Sequence, residues 1–251
     1  MSKIVKVRDM KVGADLPKIC IPITAKNLKE LKLVALSLPK TSCDFIEWRS
    51  DFYANIEDAS VRREALEFFR KKLTAMPILF TMRTSKEMGK KEITTKDYLT
   101  LNLAVIESGL IDMVDVELSQ GAKVVKQVVS AAHKAKVKVI LSQHDFQKTP
   151  TKRFIVKRLC LMQELGADIV KFAAMPKTQR DVLTLLDATL TMKEEHNETP
   201  IITMSMGKMG VISRICGQVF GSDVTFGTAG KASAPGQLPA NQLSIFLKSL
   251  A

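Results

Sequence analysis

The stretch VKVILSQHDFQKTPTKRFIVKRLCLMQELGADIVKFAAMP, residues 137–176, decides the fold. It opens on an apolar run rich in β-branched residues, VKVILSQ (137–143). A polar turn follows, then a segment of helical period over 151–166, then a second apolar run, DIVKFA (168–173). Thr151, ahead of Phe154 and Ile155, has the chemistry of a helix start, and Gly166 after Leu165 that of a stop. Both runs are near-continuously apolar rather than alternating, as strands covered on both faces are. Two such strands joined through a helix run parallel.

The same unit recurs along the chain. Further strand candidates are KICIPIT (18–24), CDFIEWR (43–49), PILFTMR (77–83), DMVDVEL (112–118), PIITMS (200–205) and DVTFG (223–227). Segments of helical period lie at 27–39, 57–75, 95–109, 121–135, 178–196, 210–220 and 238–250, with Asn27 and Thr178 as further N-cap candidates. Eight strand–helix repeats at this length predict an α/β fold, a closed (β/α)8 barrel of the TIM type. An open doubly wound sheet is the alternative, but no G-x-G-x-x-G follows the first strand. Pro22 is expected near the end of its strand, because proline cannot donate to a central ladder. Residues 3–16 precede the repeats and are expected to form a short N-terminal β-hairpin closing the bottom. No low-complexity linker interrupts the chain, so one domain is expected over 1–251.

Bulk properties narrow the function. Hydrophobic residues make up 46% of the 251, enough for a substantial core. The N-terminus MSKIVKVRDM lacks an apolar segment before its charges, so no signal peptide is expected. No uncharged apolar run approaches the roughly 18 residues of a membrane span. Four cysteines without C-x-x-C spacing read as reduced thiols of a cytoplasmic protein, and three unclustered histidines argue against a metal. The formal charge of +12 favours anions generally. Its basic residues are spread along the chain and aromatics are only 6%, so nucleic-acid binding is not expected.

In a barrel of this type, chemistry sits at the carboxyl ends of the strands. Unusual polar residues collect there: Glu47, Arg49, Arg83, Glu87, Glu117, His144, Asp145 and Lys171, then Arg214 after MSMGKMG, then the loop GTAGKASAPGQ (227–237). Lys171 sits in a greasy run. It either snorkels to the rim or serves as a Schiff-base nucleophile, its amine kept neutral by apolar walls and nearby cations. His144 is a rim histidine or a proton shuttle, and Glu87 its orienting partner or a solvated loop charge. Arg214, expected in the first turn of its helix, is an ordinary surface arginine or a carboxylate grip. The 227–237 loop is a phosphate cradle or a mobile cover.

Taken together, HDF-x-x-TP, ELGAD-x-x-K and MSMG-x-x-G-x-x-SR, with DFIEWRSDFY, ILFTMRTSKEMGK, DMVDVEL and ASAPGQ, give the chain a resemblance to the type I 3-dehydroquinate dehydratases. The resemblance implies a (β/α)8 barrel, a homodimer, and no cofactor or metal. It implies that Lys171 forms an imine with the ketone of 3-dehydroquinate, that His144 moves the protons, and that Glu87 orients His144. It also implies that Glu47, Arg49, Arg83, Arg214, Ser233 and Gln237 bind substrate, with Arg214 on the carboxylate. Met204, Met206 and Phe226 become wall positions, and the loop holding Ser233 and Gln237 a cover. Three positions depart from the family pattern: Met82 precedes Arg83 where phenylalanine is common, Met88 stands where glycine is common, and Pro22 where some members carry serine. A class I aldolase, which also uses a barrel lysine, and a non-catalytic anion-binding barrel are the rival readings.

Overall fold

The repeats close into a nearly complete ring. The computed structural model describes residues 3–230 and 232–251, Pro39 by its backbone alone. A two-stranded antiparallel hairpin, β1 (Val5–Val7) and β2 (Met10–Val12), comes first. The barrel strands are β3 (Lys18–Ile23), β4 (Phe45–Arg49), β5 (Ile78–Thr81), β6 (Met113–Glu117), β7 (Lys138–Asp145), β8 (Ile169–Ala174), β9 (Ile201–Ser205) and β10 (Val224–Phe226). They lie in the order β10-β3-β4-β5-β6-β7-β8-β9, and every pairing is parallel. Helices α1 (Leu28–Ser37), α2 (Ala59–Lys72), α3 (Thr95–Glu107), α4 (Ala122–Lys134), α5 (Lys152–Glu164), α6 (Gln179–Glu195), α7 (Val211–Ile215) and α8 (Ala240–Ser249) alternate with the strands. No helix among the described residues is long and apolar enough to cross a membrane.

The local signals act as expected. Asn27 Oδ1 accepts from the Glu30 amide at the start of α1, and Thr151 Oγ1 from the Phe154 amide at the start of α5. Thr178 and Asp181 form a reciprocal capping box on α6. Gly166, at φ +91°, ends α5 in a conformation that side chains disfavour. Pro22 is the penultimate residue of β3.

Side-chain alternation sorts the strands into two cores. Outward residues such as Ile46, Trp48, Phe80, Val116, Val170 and Phe172 pack beneath the helices. Inward residues form a separate cluster inside the ring. There the hairpin valines Val5, Val7 and Val12 meet Phe45, Leu79, Met113, Ile140 and Ile169 near the strand starts. The hairpin therefore closes the bottom of the barrel, and each buried valine contributes roughly 1.5–3 kcal/mol. Higher in the ring the inward positions turn polar, with Glu47, Thr81, Asp115, Ser142 and Lys171 all buried.

The seam between β9 and β10 is closed differently. Among the described residues no ladder pairing joins these two strands. Instead the Asp223 amide donates to Ile201 O at 2.7 Å, and the Asp223 carboxylate accepts from the Ile201 amide at 2.8 Å. Ser222 Oγ accepts from the Thr203 amide at 3.2 Å.

Candidate active site

Lys171 projects into the ring because β8 alternates: Val170 and Phe172 face the helices, while Ile169, Lys171 and Ala173 face inward. Of the apolar neighbours that suggested a greasy niche, Val170 and Phe172 are thus on the opposite face of the strand, while Ile169 and Ala173 share the inner one. Lys171 Nζ lies 3.2 Å from Asp115 Oδ2 and 3.5 Å from Glu47 Oε1, with the Phe226 ring centroid at 4.3 Å. The expected apolar wall is present, since Ala173, Met204, Met206 and Phe226 line the same cavity, but two carboxylates that the sequence reading did not anticipate also face the amine.

His144 follows from the length of β7, which runs two residues beyond the expected strand and places the imidazole on the inner rim. Its Nδ1 is 2.8 Å from Glu87 Oε2, and its backbone amide donates to the same oxygen at 3.1 Å. A carboxylate there accepts Nδ1–H and leaves Nε2 with its lone pair free. Burial, reinforced by Arg83 and Lys171, pushes the His144 pKa well below the ordinary value of 6.5, so the ring is neutral at pH 7. Burial also raises the Glu87 carboxyl, against the pull of Arg83. Ser119 Oγ donates to Glu87 Oε1 at 2.9 Å. Met88, at φ +62°, occupies the left-handed region that glycine would favour, yet Glu87 still reaches His144.

Arg83 is the knot of the upper layer. Its guanidinium donates to Asp115 Oδ1 at 2.8 Å, Glu117 Oε1 at 3.1 Å, Ser142 Oγ at 3.1 Å and Glu87 Oε2 at 3.4 Å. Burial opposes its charge, but Asp115, Glu117, Glu87 and Glu47 together push its pKa well above the ordinary range. Burial likewise opposes the Asp115 charge, yet Arg83, Lys171 and His144 hold that carboxyl below the usual carboxylate range. Glu117 is fully buried and accepts from the Thr84 amide, Thr84 Oγ1 and Gln120 Nε2 as well as Arg83. It anchors the loop that carries Glu87.

Arg214 is the contrasting arginine. The expected helix 210–220 is interrupted: α7 spans only Val211–Ile215 and a 3-10 turn, Gly217–Phe220, follows. Gly217 permits this break, since a Cβ there would come within 3.3 Å of Ser222. Arg214 therefore sits in the last turn of a five-residue helix, not the first turn of a longer one, and its side chain is buried. Among the described residues no carboxylate pairs with it. Its weak partners are Pro235 O at 3.2 Å, Phe226 O at 3.4 Å and Met204 Sδ at 3.5 Å, and its Nε has none. Burial alone lowers its pKa to about 10.

The 227–237 loop lies over this group. The Gly207 amide donates to Pro235 O at 3.2 Å, and Gly236 passes so close to Gly207 that an added Cβ would fall 2.4 Å from Gly207 O. Gln237 Oε1 accepts from the Ser233 amide at 2.7 Å, which knits the loop to itself. Lys231 lies outside the described residues.

One cavity of about 410 Å³ unites these groups. Lys171, His144, Glu87, Glu47, Arg49, Arg83, Arg214, Ser233, Gln237, Met204, Met206 and Phe226 all line it. Arg49 is held by a two-point contact to Asp51, at 2.8 and 2.9 Å, and its guanidinium stacks on Phe52. Sequence reasoning missed Asp115 and Ser142, which support the lysine and the arginine. It also missed Lys90 and Phe146 on the cavity wall. The inward period of two, counted from Glu117 to Asp115 and from His144 to Ser142, was the available signal.

Comparison with known proteins agrees with this arrangement. A family profile described as Type I 3-dehydroquinase matches residues 19–251. The 3-dehydroquinate dehydratase of Clostridium kluyveri is 48% identical over 249 residues, 99% of this chain and 98% of that protein. Among solved structures, the type I 3-dehydroquinate dehydratase from Clostridium difficile with covalently modified comenic acid has a TM-score of 0.97 at 48% identity. It covers 100% of this chain and 98% of its own. The 3-dehydroquinate dehydratase from Geobacillus kaustophilus superposes with a TM-score of 0.95 at 35% identity, with coverage of 100% and 98%. The chain belongs to the type I 3-dehydroquinase family, whose members are hydro-lyases of class EC 4.2.1.10.

Proposed function

We propose that this chain dehydrates 3-dehydroquinate to 3-dehydroshikimate through a Lys171 imine, the third step of the shikimate pathway of aromatic amino-acid and chorismate biosynthesis. The carrying observation is one cavity that holds a buried lysine amine, a neutral histidine fixed by a carboxylate, and a buried arginine that no carboxylate among the described residues pairs with. Lys171 Nζ condenses with the ketone and water departs. The resulting iminium is an electron sink, so the adjacent C2–H becomes acidic. His144 Nε2 removes that proton, and an enamine forms. His144 then returns a proton to the departing hydroxyl, and hydrolysis frees Lys171. One histidine serving both transfers fits a syn elimination.

Arg214 grips the substrate carboxylate in a fork, which decides the ring face presented to His144. Glu47, Arg49, Ser233 and Gln237 face the hydroxyls. Arg83 acts chiefly by holding Asp115, Glu87 and Glu117, to which its Nη1 and Nη2 already donate. Met204, Met206 and Phe226 form the apolar wall. The 227–237 loop is the cover, and fixing the substrate in this way supplies several kcal/mol of barrier reduction. The protein is proposed to act as a single-domain, cytoplasmic homodimer without metal or cofactor, on the strength of its likeness to its family.

Borohydride trapping tests the reading. Wild-type protein with 3-dehydroquinate is expected to gain one covalent adduct at Lys171, and Lys171→Ala to lose both adduct and turnover. Full turnover in Lys171→Ala would remove the imine from the mechanism.

A further inference from the structure

The imine nitrogen needs a partner that the family resemblance did not supply. We infer that Asp115 is the counter-ion of the Lys171 iminium, its Oδ2 accepting the single N–H that remains after condensation. The inference rests on the imine reading above.

Condensation of a lysine ammonium with a ketone releases water and leaves one N–H and one positive charge on nitrogen. Charge at that atom is the same before and after. A fixed anion beside it therefore serves both states without giving up or taking a proton. Two carboxylates are within reach, Asp115 Oδ2 at 3.2 Å and Glu47 Oε1 at 3.5 Å. Asp115 is the more firmly fixed, since besides the lysine Glu47 has one side-chain donor, Thr81 Oγ1 at 2.9 Å, and Asp115 has two. Its other oxygen accepts from Arg83 Nη2 at 2.8 Å and from Ser142 Oγ at 2.6 Å, so the carboxylate plane is locked with Oδ2 aimed at Nζ. Asp115 is fully buried on β6, Ser142 stands between it and the lysine on β7, and Ser142 is Lys171's register partner on β8. Glu47 lines the cavity itself, where the proposed function assigns it to substrate hydroxyls.

The remaining charged groups facing this pair are Arg83 and Glu87 from the loop after β5, His144 on β7, Arg49 on β4 and Arg214 on α7. The nearest cation to Asp115 is Arg83 at 2.8 Å, closer than the lysine at 3.2 Å, and it keeps the carboxylate ionised. A buried cation beside a fixed anion stays protonated to higher pH than one alone, and only a protonated imine withdraws electrons strongly enough to acidify C2–H. Asp115 thus touches a reacting atom and widens the pH range over which the electron sink operates.

Asp115→Asn separates this role from the imine itself. With 3-dehydroquinate and cyanoborohydride, which reduces protonated imines selectively, the wild type is expected to give the Lys171 adduct evenly from pH 6 to pH 9. The Asn variant is expected to give it at pH 6 and to lose it progressively toward pH 9. Its kcat should fall about 100-fold at pH 8, with KM little changed. Asp115→Glu, which keeps the charge, should restore trapping at pH 9. Even trapping across pH in the Asn variant, with kcat within threefold of wild type, would overturn the inference. Absence of an adduct in the wild type would instead overturn the imine reading. Should circular dichroism show the Asn variant unfolded, Ser142→Ala decides, because it removes one of the two donors that fix Asp115 Oδ1 and keeps the carboxylate. Reduced trapping at pH 9 then supports the counter-ion, and a wild-type profile refutes it.

Discussion

Replacing Glu87 by glutamine isolates charge from geometry at the histidine. Glu87 Oε2 receives two bonds from one residue, His144 Nδ1 at 2.8 Å and the His144 amide at 3.1 Å. A glutamine amide oxygen can receive both, and its NH2 then faces Ser119 Oγ, which accepts in place of donating. Shape and tautomer are retained, and only the carboxylate charge is lost. A hydrogen bond to a charged group contributes about 1.5–3 kcal/mol and a neutral one about 0.5–1.5. The difference for the ring bond is about 1–1.5 kcal/mol. If it is felt as the imidazolium forms in the transition state, kcat falls roughly tenfold. KM should hardly move. Removing the acceptor altogether, in Glu87→Ala, strands two buried donors and should cost roughly a hundredfold or more. The assay is the absorbance of the conjugated enone product, with borohydride trapping as a control that Lys171 still reacts. A Glu87→Gln enzyme within twofold of wild type from pH 6 to pH 8, with unchanged circular dichroism, would refute the contribution of the carboxylate charge, and a Glu87→Ala enzyme equally active would refute the orienting role.

Arg214→Ala should raise KM about a hundredfold, the loss of a charged fork worth about 2.7 kcal/mol, while Arg214→Lys recovers only part of it; steady-state kinetics separate the two. Acid should destabilise the fold in two stages. His144, with its folded pKa below 6.5, costs stability as pH falls below 6.5, and Asp115, held below 3.8, does so as pH falls below 3.8. Glu87, raised above 4.5, acts oppositely and loses its contribution as pH climbs through its folded pKa. Urea midpoints should therefore drop between pH 7 and pH 5 in wild type and drop less in His144→Gln; an equal drop in both would exclude His144 as the source. Gly89→Ala should destabilise by about 1–3 kcal/mol and lower kcat, because an added Cβ would fall 1.9 Å from Arg83 O and displace the Glu87 loop. Thermal melting and product absorbance check it together.

The barrel was legible because each strand and helix announces itself locally. Every strand lies within two residues of its apolar run, and Asn27, Thr151 and Thr178 cap the helices they precede. All the expected site residues reached one cavity because strand ends converge in this fold. What the sequence hid is what depends on the face of a strand. Lys171 looked greasy because its neighbours in the chain are apolar, whereas its neighbours in space come from β4, β6 and β10. Asp115 was invisible for the same reason: one acid in DMVDVEL looks like another until register decides which faces the lysine. Arg214 was misplaced by a helix that breaks at Cys216, where the periodicity continues but the backbone turns into a 3-10 segment at Gly217, packed close to Ser222.

The joint between β9 and β10 hangs on Asp223 and Ser222 in place of a run of paired amides. A barrel fastened there by so few bonds should breathe at that joint first, while the valine plug below stays shut. Phe226 and the covering loop lie just downstream of the fastening, so such breathing would loosen the mouth before it loosened the floor. Hydrogen exchange at the Ile201 and Thr203 amides would then report how readily the entrance opens.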